Sequence, residues 1–261
     1  MSGGRRDHDP PRALPSRREI LTLPLPDLPR RDRPLQRFVV SLLRGLFIEA
    51  HGVERVAVEH DPFIIVLNHN QRPEAVAIPT MLYMFRGGRI IHFIADWNSM
   101  LIPGVGYVMR RGKVIVLVRK DAKPRILNLL KPLYQHPDPV FVRARRLLDA
   151  GRSVGIFPEG TVNRDPARLL PGHPGAARLS LQSGRPIIPA GLRFPGHPPE
   201  QPIRDLSRFV LEIGEPLVPP VIERPGRPSP EEVRAWHHRM MNELSRLSGK
   251  AWEPRSGGSR A

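Results

Sequence analysis

The stretch Phe63-Ile64-Ile65-Val66-Leu67-Asn68-His69-Asn70-Gln71-Arg72-Pro73-Glu74 decides how the chain is read. Phe63 to Leu67 is an uninterrupted apolar run with β-branched residues at its centre. Such a run predicts a strand buried on both faces, in a sheet covered by helices on either side. Asn68-His69 closes it. Pro73 suits the first turn of a helix, where its missing N–H would have no intrahelical partner, and this puts Glu74 in that turn. Open α/β sheets hold their chemistry at the carboxyl ends of strands. His69 is therefore the candidate base and Glu74 the carboxylate that orients it. The alternative is a histidine that only ends a strand.

Two further strand ends weigh against that alternative. Val114 to Val118 is an apolar run that ends at Arg119. Ser153-Val154-Gly155-Ile156-Phe157 ends in Pro158-Glu159-Gly160-Thr161. Three buried runs that each deliver polar groups where they stop predict one shared site.

The rest of the chain fits an α/β domain. Apolar residues recur at three- and four-residue steps over 35–51, which predicts an N-terminal amphipathic helix, packed on the domain or lying in a membrane interface. Val53 to Glu59 alternates and predicts a short strand. Helices are expected over 74–86, 140–150, 175–183 and 230–247. The last starts at Ser229-Pro230-Glu231-Glu232, with Ser as N-cap and Pro at the first helical position. Further strands are expected at 89–95, 186–192 and 209–213. Met100 to Tyr107 predicts an apolar turn, and 121–139 a surface insertion. The alternation gives a single domain with a mixed, mostly parallel sheet flanked by helices, over 35–250. Residues 1–34, rich in Pro and Arg, predict a disordered arm, and 251–261 a flexible tail.

Composition narrows the function. The 261 residues carry 41 Lys and Arg against 25 Asp and Glu, a net charge of +16. That balance suits an anionic membrane surface, a phosphorylated substrate or nucleic acid. The arginines are dispersed and no aromatic platform accompanies them, so no nucleic-acid partner is expected. There is no cysteine, which excludes thiol nucleophiles and thiolate metal sites. His237 and His238 are adjacent and cannot share a helix face, so no metal site is expected. No apolar run is long enough to span a bilayer, and no signal-peptide core precedes the domain. The expected location is peripheral, at the cytoplasmic face of a membrane.

Taken together, these motifs resemble the glycerolipid acyltransferases, which include the lysophosphatidic acid acyltransferases. The family's Asn-His-x4-Asp is matched by Asn68-His69-x4-Glu74. Its Gly-containing strand ending in Arg is matched by Gly112 to Arg119. Its Phe-Pro-Glu-Gly-Thr stands at 157–161, and its Pro-bearing apolar strand at Ile187-Ile188-Pro189. Leu170 to Leu179 also resembles the stretch between the last two motifs. The chain departs from the family at three places. Glu74 replaces Asp, Val162-Asn163 replaces Arg-Ser with Arg164 two places late, and Asp96-Trp97-Asn98 stands where a Lys often does.

The resemblance implies a glycerol-3-phosphate acyltransferase-like fold. It also implies transfer of a fatty acyl group from acyl-CoA or acyl-carrier protein, as co-substrate with no other cofactor, to a lysophospholipid hydroxyl. The acceptor it suggests is 1-acyl-glycerol-3-phosphate, giving phosphatidic acid. Another lysolipid, a lipid-linked acceptor, or a lipid-binding homologue without activity are the alternatives. His69 would take the hydroxyl proton, with Glu74 holding the imidazole, as in the His-carboxylate half of a hydrolase triad. Asn68, Arg119, Glu159, Gly160, Thr161 and Arg164 are the expected substrate-binding residues, Arg119 for the acceptor phosphate and Arg164 as its substitute partner.

Overall fold

The computed structural model describes residues 14–222 and 226–254. The chain runs α1 (Arg17–Thr22), α2 (Arg33–Leu43), β1 (Phe47–His51), β2 (Ile64–Leu67), α3 (Glu74–Phe85), β3 (His92–Asp96), α4 (Val105–Arg111), β4 (Ile115–Leu117), α5 (Val140–Asp149), β5 (Val154–Ile156), α6 (Gly175–Ser183), β6 (Ile187–Arg193), β7 (Phe209–Ile213) and α7 (Pro230–Ser248), with short 3-10 turns between. The seven strands form one sheet in the order β1-β7-β6-β2-β5-β3-β4. All neighbours are parallel except β6 and β7. The sheet is mixed and mostly parallel, and helices flank it.

β2 lies at the centre, between β6 and β5. Its residues alternate between two cores. Ile65 and Leu67 face the core built with α2 and α3, and Ile64 and Val66 face the core built with α5, α6 and α7. All four are fully buried. A two-residue side-chain period over a fully apolar run demands such double cover. Gly155 of β5 answers to the same packing. A Cβ there would come within 2.5 Å of the Phe93 ring, so only a bare backbone fits between β3 and β5.

The structure revises several local readings. The arm expected over 1–34 is folded from residue 14 onward, while residues 1–13 lie outside the described part. Ser16 accepts from the Glu19 N–H and Glu19 accepts from the Ser16 N–H, a capping box that starts α1. Ile20, Leu25 and Leu28 then bury themselves in the first core. The helix expected over 35–51 stops at Leu43, and Phe47–His51 is instead a strand paired with β7. Pairing and burial of Phe47 against Phe209, ring centroids 4.8 Å apart, override the helical spacing. Val53–Val56 and Val58–His60 are 3-10 turns rather than a strand. Met100–Tyr107 contributes to α4, and the insertion holds a 3-10 helix at Arg125–Tyr134. The start of the expected tail is tied down: Ala251 bridges to Arg168, and Trp252 Nε1 donates to the Pro171 carbonyl at 3.3 Å. Residues 255–261 lie outside the described part. Among the described residues no helix is long and apolar enough to cross a membrane.

Candidate active site

The carboxyl ends of β2, β3, β4 and β5 open onto one cavity of about 530 Å³. His69 lines it, two residues beyond β2. Its Nδ1 stands 3.1 Å from Glu74 Oε2. Glu74 is fully buried and begins α3, where the helix dipole favours an anion. A carboxylate can only accept, so the proton on this contact sits on Nδ1 and leaves the Nε2 lone pair free to take another. The Phe157 ring packs on the imidazole, with centroids 4.5 Å apart. The ring is thus fixed by a hydrogen bond on one edge and by an apolar face. The contact expected from the sequence, between His69 and Glu74, is present.

Glu74 is itself held by its neighbours. The Asn70 N–H donates to Oε2 at 2.7 Å, and Asn70 Nδ2 donates to Oε1 at 3.3 Å. Both carboxylate oxygens therefore have fixed directions. Asn68, expected to touch substrate, does not line the cavity. It is fully buried, accepts from the Leu192 N–H at 2.8 Å and donates to the Leu192 carbonyl and Asn70 Oδ1, each at 3.2 Å. It extends the β2–β6 ladder by one side chain and braces Asn70.

Glu159 also turns inward and does not line the cavity. Oε1 accepts from the His69 backbone N–H at 3.0 Å. Oε2 accepts from Asn163 Nδ2 at 2.7 Å and from the Leu170 N–H at 2.9 Å. The Asn163 N–H closes the loop by donating to the His69 carbonyl at 2.7 Å. Burial pushes the Glu159 carboxyl above its usual range, and these donors, with the nearby Lys250 charge, pull the other way. It clamps the turn after β5 against the His69 backbone.

The rest of the Phe-Pro-Glu-Gly-Thr turn faces the cavity: Gly160 and Thr161 line it. Gly160 has φ 67°, and a Cβ there would sit 2.9 Å from the His173 ring. Both its left-handed backbone and its close neighbour require glycine. Arg119 lines the opposite wall, with Nη1 3.3 Å from His173 Nε2. Lys120 lies beside it and donates from Nζ to the Gly160 carbonyl at 3.2 Å. Arg164, expected as a phosphate partner, is absent from this wall. It donates to the Ile203 carbonyl and to Asp205 Oδ1, both at 2.7 Å. Its ion pair with Asp205 turns it to a different loop.

Lys120, His173, Asn70 and Asn163 are the site residues that sequence reasoning passed over. Lys120 adjoins Arg119, and His173 falls in the stretch that resembles the family, so both carried a signal. A second, mostly apolar void of about 30 Å³ between α2, α3 and α4, with the Asp32–Arg111 ion pair on its wall, shares Ala75, Met109 and Val114 with the main cavity.

The fold and the site define an α/β protein with a hydrogen-bonded His-carboxylate pair in a cation-rimmed cavity. Residues 47–193 match the model of the family described as Acyltransferase, and the chain belongs to that family. Among curated proteins, it is 28% identical over 173 residues to the chloroplastic 1-acyl-sn-glycerol-3-phosphate acyltransferase BAT2 of Brassica napus, covering 64% of this chain and 45% of that protein. It is 29% identical over 157 residues to the chloroplastic 1-acyl-sn-glycerol-3-phosphate acyltransferase LPAT1 of Arabidopsis thaliana, covering 60% and 39%. The match thus spans less than half the length of these relatives. Among solved structures, the 1-acyl-sn-glycerophosphate (LPA) acyltransferase PlsC of Thermotoga maritima shares the fold, with a TM-score of 0.52 and 19% identity over 87% of this chain and 86% of that one.

Proposed function

We propose that the protein moves a fatty acyl group from an acyl thioester, acyl-CoA or acyl-carrier protein, to a lysophospholipid hydroxyl, with 1-acyl-glycerol-3-phosphate as acceptor and phosphatidic acid as product. The observation that carries this reading is the His69 Nδ1–Glu74 Oε2 contact of 3.1 Å at the wall of a cavity large enough for both reacting groups. An alcohol is too weakly acidic to attack a thioester unaided. As its oxygen bonds to the thioester carbon, its proton passes to His69 Nε2, and Glu74 stabilises the imidazolium that forms. Collapse of the tetrahedral intermediate breaks the carbon–sulfur bond, and the departing sulfur takes the proton back from Nε2. The substrate supplies the nucleophile, so no enzyme Ser or Cys is needed.

Arg119 and Lys120 meet the acceptor phosphate in this reading, since Arg164 is engaged by Asp205. The names of the relatives favour that acceptor. The acyl chain runs along Phe93, Met109 and Val114 toward the apolar void. The protein works on an anionic membrane surface, at the cytoplasmic face. Ile126, Leu129 and Leu133 are 69%, 76% and 77% exposed beside Arg125 and Lys131, and α2 exposes Phe38 and Leu42. Apolar side chains flanked by cations suit an anionic interface.

The test is acyl transfer from radiolabelled acyl-CoA to a panel of phosphorylated and unphosphorylated lysolipids. Turnover of the phosphorylated acceptors is expected. Turnover confined to unphosphorylated acceptors would overturn the assigned substrate, and lysolipid binding with no turnover would overturn the activity. Flotation with phosphatidylglycerol vesicles, absent with neutral ones, is the expected sign of the surface.

A further inference from the structure

Lys250 carries a part that no motif records. It follows α7, where Gly249, with φ 72°, turns the chain back into the fold. The side chain is buried, 3% exposed. Its Nζ contacts Asn70 Oδ1 and donates to the Asp165 carbonyl at 2.6 Å. Asn70 Nδ2 in turn donates to Glu74 Oε1, the Asn70 N–H donates to Glu74 Oε2, and Oε2 holds the His69 ring. A continuous buried path thus joins Lys250 to the base.

The direction of each bond in that path follows from Lys250 together with Asn68, whose Nδ2 donates to the same Asn70 Oδ1. A side-chain amide can be inserted in two senses. An ammonium has three donors and no acceptor, so it obliges Asn70 to present Oδ1 to it and Nδ2 to Glu74. With the opposite insertion, an amide oxygen would face the Glu74 carboxylate and an amide N–H the ammonium. Charge follows the same path. An ammonium costs several kcal/mol to bury unless it is paired, on the order of the penalty for any buried ion. The charged groups that face Lys250 are Glu74 on α3, Glu159 after β5, and Asp165 in the loop beyond. Two of these are the buried carboxylates that hold the His69 ring and backbone. Burial lowers the Lys250 ammonium from its ordinary value, and these three carboxylates oppose the shift.

We propose that Lys250 is a positioning residue for the base: through Asn70 it helps to set the orientation of Glu74, and its charge offsets that of the buried carboxylate facing the His69 ring. The proposal rests on His69 and Glu74 forming the acyl-transfer dyad. Without the Lys250 charge, Glu74 acts on His69 uncompensated and the imidazolium is favoured. The acid limb of kcat/KM then moves to higher pH.

The test uses the full chain with Lys250→Met, which keeps the stem and removes the ammonium. kcat is expected to fall about 10- to 100-fold, by analogy with loss of the outer partner that orients a metal-ligating side chain, with the KM of donor and acceptor little changed. The NMR titration midpoint of the His69 ring, read without substrate, is expected to rise by about one pH unit, the scale of one partly screened charge. Lys250→Arg, which keeps the cation, is expected to return the midpoint toward the parent's. An unmoved midpoint and acid limb, with only the Tm lowered, would overturn the proposal. If Lys250→Met does not fold, Lys250→Gln reads the charge alone, and failure of both to fold would overturn it by making Lys250 a folding residue. The ring titration needs no turnover, so it fails separately from the acyl-transfer reading, which parent turnover tests.

Discussion

The two walls of the cavity are built in opposite ways. On the base side, Glu74 and Glu159 are buried, every carboxylate oxygen has a donor, and the donors come from backbone or from side chains with partners of their own. On the facing side, Arg119 and Lys120 are open to solvent and share single contacts with His173 and the Gly160 carbonyl. The difference has a physical reason. A base must be held in one geometry through the reaction, and buried, satisfied hydrogen bonds supply that rigidity. A phosphate can be met by flexible cations, whose number and position can change without disturbing the fold. The displacement of Arg164 to Asp205 illustrates this: the expected cation has left the rim and the base wall is intact.

Breaking the base wall should have the largest effect. His69→Ala is expected to lower kcat about 10²–10⁴-fold, the contribution of a positioned general base, with the Tm near the parent's. A variant that turns over normally in the radiolabelled assay would remove the base from this wall altogether. Glu74→Gln comes next. Its amide NH2 would point at donors, the Asn70 N–H and the protonated Nδ1 if it takes the Oε2 place or Asn70 Nδ2 if it takes the Oε1 place, and the loss in kcat should approach that of His69→Ala. Glu74→Asp, a carboxylate still, should keep more of the rate than Glu74→Gln. Equal rates for Gln and parent would leave the carboxylate with a structural role only.

Glu159→Gln probes the same wall through stability. With its oxygen in the Oε2 place the amide satisfies two of the three donors now on Glu159 and opposes the third, the His69 N–H, at a cost of about 1–3 kcal/mol in urea unfolding. An unchanged midpoint would show that the clamp on the His69 backbone is dispensable. The open wall should respond differently. Arg119→Ala is expected to raise the KM for a phosphorylated acceptor about tenfold, the lower end for a hydrogen bond to a charged group, with little change for the acyl donor. Equal effects on both substrates would erase the distinction between the walls.

The smallest effect expected is a pH dependence set away from the site. Burial lowers His92 and His237 from their ordinary values. The unfolded chain then binds these protons at a higher pH than the folded one. Their contribution to stability is present above the ordinary histidine range and is lost as pH falls through it. Differential scanning calorimetry should show the Tm declining from pH 7 to 5. His92→Gln and His237→Gln should flatten that decline while leaving the cavity walls as they are.

Much of this was legible along the chain. The Phe63–Leu67 run is buried on both faces as its composition requires. α6 and β7 occupy the residues their periodicity marks, and α7 starts at its capping box. Spacing also put His69 and Glu74 in reach of each other, because a strand end and the next helical turn are bound by local geometry. The misread elements share a cause. Phe47–His51 carries helical spacing, but its pairing with β7 comes from residues more than 150 positions away. The Ser16-x-x-Glu19 box was readable, and the Pro and Arg around it masked it.

The sequence by itself determined the approach of His69 to Glu74, the turn at 157–161 and the layered α/β plan, since each rests on residues close in the chain or on a repeating pattern. Only the tertiary structure decided where the remaining charged and polar groups act. It turned Asn68 and Glu159 into the scaffold and sent Arg164 to Asp205. It brought Lys120 to the rim and carried Lys250 from the end of α7 to Asn70, 180 positions away. A buried charge takes whatever partner the packed layers bring to it, and no local pattern encodes that meeting.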